Sequence, residues 1–310
     1  MPTVTTDAIF LSNLLAELAL RQLPCGGWAG LRSSAQPAIE PSCYCALALS
    51  SALSTSHAES AFEFLLQSQN RNGSWPSFAG DDQEGAWVTA LALMTLRDLP
   101  AAVPARLKGL EWLMSFSGRE SNWLWKWKFR TADRHVRFDP EKFGWPWFPS
   151  TLSWVVPTAF ALLALKQVPC SCGNFEQAPF RIERGIEMLL DRACPGGGWN
   201  AGNGVVYGAP VAPHPDDTAI ALLALTDHRQ ETVVQGGLQY LENTAVDLNA
   251  LWSLAWAILA LAAYGQDVTT LQRRLASMPD LLAIEDTSTL ALVLLALDHN
   301  QALLDLGVTS

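Results

Sequence analysis

The 310-residue sequence contains few charged residues, and basic residues are the scarcer kind. Charged side chains make up 16% of the chain, and 20 Lys and Arg face 30 Asp and Glu, so the formal net charge is −10. A protein that binds nucleic acid neutralises phosphates with a basic surface, and this composition does not supply one. We therefore expect no nucleic-acid partner.

Long hydrophobic runs are also missing. The longest, LWSLAWAILALAAYG from Leu251, is shorter than the roughly 18–20 apolar residues that cross a bilayer. The start of the chain, MPTVTTDAIF, has no basic stretch before its apolar residues, unlike a secretory signal. We expect a cytoplasmic protein, although an exposed apolar face would still allow peripheral contact with a membrane.

The six cysteines lack the spacing of a metal site. Cys43 and Cys45 are separated by one residue, as are Cys170 and Cys172, whereas structural zinc uses Cys-x-x-Cys. A chain of this length with 49% hydrophobic residues can build a large core without disulfides, so we expect reduced thiols. No glycine-rich phosphate loop and no serine-hydrolase turn is found. We expect neither a metal nor a cofactor.

The sequence does contain one short apolar motif, here called the apolar phrase, in six copies. They read PSCYCALALS from Pro41, VTALALMTL from Val88, PTAFALLAL from Pro157, DTAIALLAL from Asp217, SLAWAILAL from Ser253 and TLALVLLAL from Thr289. A helix that is apolar on every side is a buried helix. A more amphipathic segment precedes each copy, such as AFEFLLQSQ or GIEMLLDRA. Such pairs must stack on one another, because one pair cannot bury its own apolar face.

Six stacked pairs predict a single all-α domain over residues 1–310. We expect a closed ring, with six parallel inner helices around a central cavity and six outer helices around them. The alternative is an open α-solenoid. Inner helices that are apolar on every face, and the lack of a polar capping repeat at either end, favour closure.

The connections between the helices contain a second motif. QLPCGGW, from Gln22, and QNRNGSW, from Gln69, both read Gln-x-x-x-Gly-x-Trp, and ACPGGGW keeps Gly197 and Trp199. Glycine allows a tight turn, tryptophan buries a large ring, and the glutamine amide can bond to free backbone groups. These features predict a role in stability rather than in catalysis.

The two Gln-x-x-x-Gly-x-Trp motifs resemble the QW repeats of squalene–hopene and oxidosqualene cyclases. GWPWFPSTLSWVVPTAFALLAL, from Gly144, is similar to segments of the same superfamily. The resemblance covers the six repeats and implies the (α/α)6 toroid that terpenoid cyclases share with the β subunits of protein prenyltransferases. It implies a class II isoprenoid cyclase, an isomerase that protonates a long polyprenyl substrate without a metal. Family cyclases generally use two such barrels, and this chain has one.

The resemblance also implies a catalytic acid. Class II cyclases carry Asp-x-Asp-Asp-Thr, whose middle Asp protonates an alkene, and HPDDT matches it with His214 in place of the first acid. Asp216 would then be the general acid, oriented by Asp217 and His214. The alternative is that these acids only cap a helix, as Asp does at helix starts. We expect Asp216 to face the cavity and Asp217 or Thr218 to supply the cap.

Alignment of the six apolar phrases predicts two layers of side chains inside the ring. The outer layer contains Glu40, Trp87, Val156, Asp216, Trp252 and Ser288, and the inner layer contains Tyr44, Leu91, Phe160, Ile220, Trp256 and Leu292. The aromatic members would line a pocket for a hydrocarbon and stabilise cations, with Glu40 at the mouth. The alternatives are aromatics that only fill the barrel, an isoprenoid-binding module without chemistry, a prenyl-diphosphate-using enzyme, and a glycoside-active enzyme that uses Glu40 and Asp216 as a pair.

An insert at about residues 117–154 is predicted to form a lid. Within NWLWKWKFR, aromatic residues alternate with mostly basic ones, and this period of two favours a short strand that RHVRF can complete as a β-hairpin. We expect the tryptophans to face the barrel and the cations to bind a diphosphate or an acidic membrane, or to be offset by Asp133, Asp139 and Glu141. The residues concerned are Trp123, Trp125, Trp127, Lys126, Lys128 and Arg130.

Overall fold

Helices account for almost all the regular structure. The computed structural model describes residues 4–51, 55–81, 85–131, 138–167 and 175–298. Within these ranges the helices are α1 (Val4–Leu20), α2 (Ile39–Ser51), α3 (Thr55–Gln67), α4 (Ala86–Thr95), α5 (Val103–Met114), α6 (Trp123–Thr131), α7 (Val155–Lys166), α8 (Ala178–Arg192), α9 (Pro215–Ala224), α10 (Thr232–Ala245), α11 (Leu251–Ala263), α12 (Thr269–Ala276) and α13 (Thr287–Leu297). No helix in the described ranges is both long and apolar enough to span a bilayer.

The six apolar helices form a closed ring. Each of α2, α4, α7, α9, α11 and α13 packs against the next in this order, and α13 packs back against α2. The outer helices α1, α3, α5, α8, α10 and α12 surround them. This arrangement confirms the predicted toroid, and the open solenoid is wrong. The expected limits of the domain, residues 1–310, stay a prediction.

The composition of the inner helices explains their position. Every residue from Val155 to Leu165 in α7 is buried. Alanine and leucine are strong helix formers, and the small alanine side chains allow neighbouring helices to approach closely. Each leucine removed from water stabilises the fold by about 1.5–3 kcal/mol, so the ring interior is the main source of stability.

Four buried tryptophans connect outer helices to inner ones. Each indole N–H donates to a leucine carbonyl late in the preceding outer helix, at 2.7–2.8 Å. Each tryptophan backbone N–H donates to a hydroxyl in the first turn of the following inner helix, at 2.8–2.9 Å. The pairs are Trp28 with Ser42, Trp75 with Thr89, Trp145 with Thr158, and Trp199 with Thr218. Because the anchor is the same each time, α2, α4, α7 and α9 all begin at one end of the ring.

The Gln and Gly of the connecting motif join consecutive outer helices. Gln22 Nε2 donates to the carbonyl of Gly26 at 2.8 Å and to that of His57, in the first turn of α3, at 2.9 Å. Gln69 repeats this contact with Ala105 in α5 at 2.8 Å. Gly26 has a φ of +89°, and a Cβ there would lie 2.3 Å from the Ser60 carbonyl oxygen. The motif therefore requires glycine for both its backbone conformation and its packing.

The insert at about residues 117–154 differs in secondary structure from the predicted β-hairpin. Residues 123–131 form the helix α6 instead of a strand, so the expected alternation of faces is wrong. Asn122 starts the helix by accepting a bond from the Leu124 N–H at 3.0 Å, and Lys126 and Arg130, four residues apart, both pair with Glu141. Residues 134–137 of RHVRF lie outside the described residues.

Two of the three tryptophans of α6 are exposed to solvent, contrary to the expectation that they face the barrel. Trp123 and Trp127 are 74% and 60% exposed, whereas Trp125 is half-buried. In a helix, positions 123 and 127 share one face and position 125 lies on another. Short hairpins do occur elsewhere, where β1 (Trp28–Ala29) pairs with β2 (Pro37–Ala38) and β3 (Val205–Val206) pairs with β4 (Ala209–Pro210).

Candidate functional site

Aromatic side chains from four inner helices meet inside the ring. The aromatic cluster consists of Tyr44, Trp87, Trp147, Phe160, Trp252 and Trp256. The ring of Trp256 lies 6.1 Å from that of Tyr44 and 6.1 Å from that of Phe160. These contacts join α11 to α2 and α7, which are not its neighbours in the ring, so the side chains cross the lumen. The structure therefore brings together all five aromatic residues predicted for the pocket.

The cluster has a buried floor and an accessible mouth. Tyr44, Phe160 and Trp256 are at most 2% exposed and fill the lumen at their level. Trp87, Trp147 and Trp252 are half-buried and lie at the end where the inner helices begin. The floor therefore packs like a protein core, and the accessible aromatic faces lie at the mouth.

Trp147 belongs to the cluster, although the ring alignment missed it. Its ring lies 5.9 Å from that of Trp87, nearly perpendicular to it at 78°. It comes from the loop before α7, and the only sequence signal was its place two residues after the anchoring Trp145. Edge-to-face contacts of this kind orient the rings, and the exposed face of an indole attracts a cation.

The start of α9 carries three polar side chains, called here the α9 corner: His214, Asp216 and Asp217. His214 is the N-cap residue, and its Nδ1 lies 2.9 Å from Asp217 Oδ2. Burial raises the pKa of Asp217, the His214 contact opposes this, and the neighbouring Asp216 carboxylate adds to it. Asp216 is half-buried, and no hydrogen bond or ion pair joins it to another residue in the described part of the chain.

The side-chain cap expected from Asp217 or Thr218 is not made at α9. The Asp217 carboxylate is engaged by His214, and the Thr218 hydroxyl accepts the backbone N–H of Trp199. Both side chains are therefore engaged by partners other than the free N–H groups of α9. That Asp216 faces the cavity stays a prediction.

A second acidic site lies at the start of α2, here called the α2 corner: Glu40 and Asp286. Burial raises the pKa of Glu40 to about 7, and the charge of Asp286 adds to the increase. Asp286 caps α13 by accepting the Thr289 N–H at 2.6 Å. Glu40 precedes Tyr44 by one helical turn, so both residues lie on the same face of α2. This is the face from which Tyr44 enters the lumen.

Asp286 was missed by the ring alignment, which placed Ser288 at this level. The sequence signal was the capping pattern itself, Asp-x-x-Thr directly before an apolar helix. Among the described residues, no group of three or more His, Cys, Asp and Glu side chains is placed to hold a metal ion. The described side chains at the mouth include carboxyl groups, one imidazole and aromatic faces.

Comparison with known proteins connects this geometry to a fold. No family model and no curated protein matches the sequence. The type II terpene cyclase MstE from Scytonema, in a product complex, superposes with a TM-score of 0.61 at 15% identity, over 97% of this chain and all of that one. This chain has the (α/α)6 toroid fold. The likeness confirms the expected relation to terpene cyclases at the level of fold.

The same fold occurs in enzymes with other chemistry. A GH76 alpha-mannanase from Bacteroides thetaiotaomicron superposes with a TM-score of 0.63 at 8% identity, over 94% of this chain and 95% of that one. An endo-beta-1,4-glucanase from Acetobacter xylinum reaches 0.59 at 12% identity, over 92% and 96%. A shared fold does not decide between these activities, so the function must be argued from the site.

Proposed function

We propose that this chain is a protonation-initiated isoprenoid cyclase that acts on a long polyprenyl substrate at the mouth of the ring. The observation that carries the proposal is the combination of acids and aromatic faces at one end of the lumen. An alkene is protonated only by a carboxylic acid that keeps its proton, and the resulting cation is stabilised by aromatic faces. Carboxyl groups and accessible aromatic faces lie together at the start of the inner helices, and this supports the proposal.

The general acid in this proposal is Asp216. It has no hydrogen-bond partner among the described residues, and its neighbour Asp217 is held by His214. Its carboxyl proton forms a new C–H bond with the alkene, and the positive charge moves along the chain as rings close. Loss of a proton from carbon ends the reaction, so the product is an isomer of the substrate.

The half-buried rings of Trp87, Trp147 and Trp252 would hold the reacting chain and stabilise its cations. A variant of MstE has been solved with geranylgeranyl dihydroxybenzoate, described as its substrate. At 12% identity this supports only the choice of a test compound: a prenyl chain without a diphosphate.

The proposal is tested by incubation with geranylgeranyl dihydroxybenzoate or squalene in D₂O. Protonation by solvent-derived deuterons would place one deuterium on carbon, so mass spectrometry should find an isomer one mass unit heavier than the substrate. Asp216→Asn should abolish the product and leave folding intact, because asparagine also suits a helix start. The exposed Asp247→Asn is the matched control and should keep full turnover.

Two outcomes would contradict the assignment. Full turnover by Asp216→Asn would remove Asp216 as the acid, and the variant Glu40→Gln would then be examined. Tight binding of prenyl compounds without any isomer would show a lipid-binding module instead of an enzyme.

A glycoside hydrolase is the second candidate, favoured by one observation. The pKa of Glu40 is about 7, which suits a general acid, and Asp216 would serve as the second carboxylate of the pair. Release of reducing sugar from mannan or cellulose oligosaccharides, lost in Glu40→Gln, would support it.

A further inference from the structure

A cavity of about 330 Å³ lies between the end of α1, the loop that joins β1 to β2, and the start of α13. Two backbone hydrogen bonds hold this loop against the segment before α13, from the Thr287 N–H to the Gly30 carbonyl at 2.8 Å and from the Arg32 N–H to the Glu285 carbonyl at 2.9 Å. A volume of this size holds a small organic molecule. The lining residues lie outside the aromatic cluster and outside both acidic corners, so the cavity is distinct from the mouth of the ring.

Two arginines and one glutamate give the cavity a positive lining. Glu17 Oε1 accepts the Arg21 Nε–H at 2.9 Å and lies 3.3 Å from Arg32 Nη2. These are the charged members of the lining that the structure describes, and two cations with one carboxylate leave a net charge of +1. The adjacent Asp286 accepts the Thr289 N–H and does not line the cavity. In a chain whose net charge is −10, such a lining favours an anion.

Arg21 has two donors without a use inside the protein. Its side chain is only 6% exposed, and neither Nη1 nor Nη2 has a hydrogen-bond partner in the described ranges. Arg181 differs, because its two terminal nitrogens donate to the carbonyls of Met114 and Phe116. Unpaired donors on a buried cation are costly, and a native structure rarely keeps them without a reason. Together with the cavity, these donors point to an anionic ligand.

We infer that this cavity binds a small organic oxyanion, a carboxylate or a phosphate monoester with an apolar part, through Arg21 and Arg32. A guanidinium group forms two parallel hydrogen bonds with either kind of oxyanion. Leu20, Leu23 and Leu31 also line the cavity and would contact the carbon part of the ligand. The inference does not depend on the proposed cyclase activity, since it concerns a different site.

Binding requires a small rearrangement, because the two Arg21 nitrogens are covered by protein atoms. Leu20 and Leu31 are 81% and 51% exposed. Exposed side chains of this kind change rotamer within nanoseconds. Their movement widens the cavity, and the Arg21 guanidinium then turns a terminal nitrogen towards the ligand.

Isothermal titration calorimetry tests the inference with benzoate and phenyl phosphate, and benzyl alcohol serves as the neutral compound with the same ring. At least one anion should bind saturably, and benzyl alcohol should bind at least about tenfold more weakly, since it lacks the charge. The two anions distinguish a carboxylate site from a phosphate site. Arg21→Met and Arg32→Met should each weaken binding of the anion by about tenfold or more. Arg71→Met is the matched control, because Arg71 is exposed and lies outside the cavity, and its affinity should be unchanged.

Glu17→Gln should have the opposite effect. It removes the carboxylate that engages both arginines, so the anion should bind several times more tightly. A purely structural role for these three side chains would instead make Glu17→Gln bind no better than the unchanged protein.

NMR supplies a second measurement, in which the Arg21 Nε–H signal, assigned with Arg21→Met, should shift as the anion is added. If Arg21→Met does not fold, Arg32→Met decides, because the Arg32 side chain is 48% exposed and its loss should leave folding intact. Absence of anion binding, equal binding of benzyl alcohol, or an anion that binds without shifting the Arg21 signal would overturn the inference. Unchanged affinity in Arg32→Met would overturn it as well.

Discussion

The α2 and α9 corners share one scaffold but hold their acids differently. In both, a buried tryptophan fixes the first turn of the inner helix through a hydroxyl, from Trp28 to Ser42 and from Trp199 to Thr218. At the α2 corner, Glu40 lies beside a second carboxylate and its pKa is about 7. At the α9 corner, His214 opposes the effect of burial on Asp217. The repeated tryptophan anchor therefore does not set the pKa of these acids. The residues around each acid do.

The largest expected effect comes from removing the shared scaffold. Trp28→Ala and Trp199→Ala should each lower the free energy of unfolding by about 3–5 kcal/mol, because a fully buried ring and its indole hydrogen bond are lost. Urea denaturation measures the loss. Trp123→Ala, at an exposed ring, should change stability by only about 0.5 kcal/mol. A much smaller loss at one corner would show that the two anchors are not equivalent.

The pH dependence of stability should distinguish the corners. Glu40 keeps its proton in the folded protein up to about pH 7, whereas its ordinary pKa is 4.5. Its contribution to stability is therefore complete below 4.5 and is lost as the pH rises through about 7. Glu40→Gln should flatten this part of the profile, measured by urea denaturation across the window.

Asp217→Asn is the matched change at the other corner. Its effect on the same profile should be smaller, because the His214 contact counteracts burial at Asp217. An equal or larger effect of Asp217→Asn would reverse the ranking of the two corners.

The smallest effect is expected for His214→Ala. The variant loses a half-exposed contact to Asp217, which should cost about 1 kcal/mol or less. The pKa of Asp217 should rise, since the contact that lowers it is gone. NMR titration of the Asp217 carboxyl measures the change, and an unaltered pKa would mean that His214 does not control this acid.

Much of the fold could be predicted from the sequence because its signals are local and repeated. Six apolar phrases and their amphipathic partners predicted the ring, and the alignment brought Tyr44, Phe160 and Trp256 to one level, where they meet. Asp286 was not predicted, because its role depends on Glu40, which lies far away in sequence. Trp147 was not predicted either, since it comes from a loop outside the repeats.

The insert shows where a local pattern fails. Alternating aromatic and basic residues fit a strand, but the same residues fit a helix whose Lys126 and Arg130 share Glu141 and whose Phe129 packs on Phe138. Glu141 and Phe138 follow the alternating residues in the chain, and the alternation itself does not show where they lie in space. The choice between strand and helix therefore depended on contacts that periodicity does not contain.

The sequence by itself determined the alternation of helices, the tryptophan turns and the apolar character of the inner ring, because burial follows from periodicity and composition. Only the tertiary structure decided which carboxyls keep a proton, which rings remain accessible and which face of α6 meets solvent. The physical reason is that pKa and exposure depend on every neighbour within a few ångströms. Ring closure supplies those neighbours from helices far apart in the chain, where α13 meets α2.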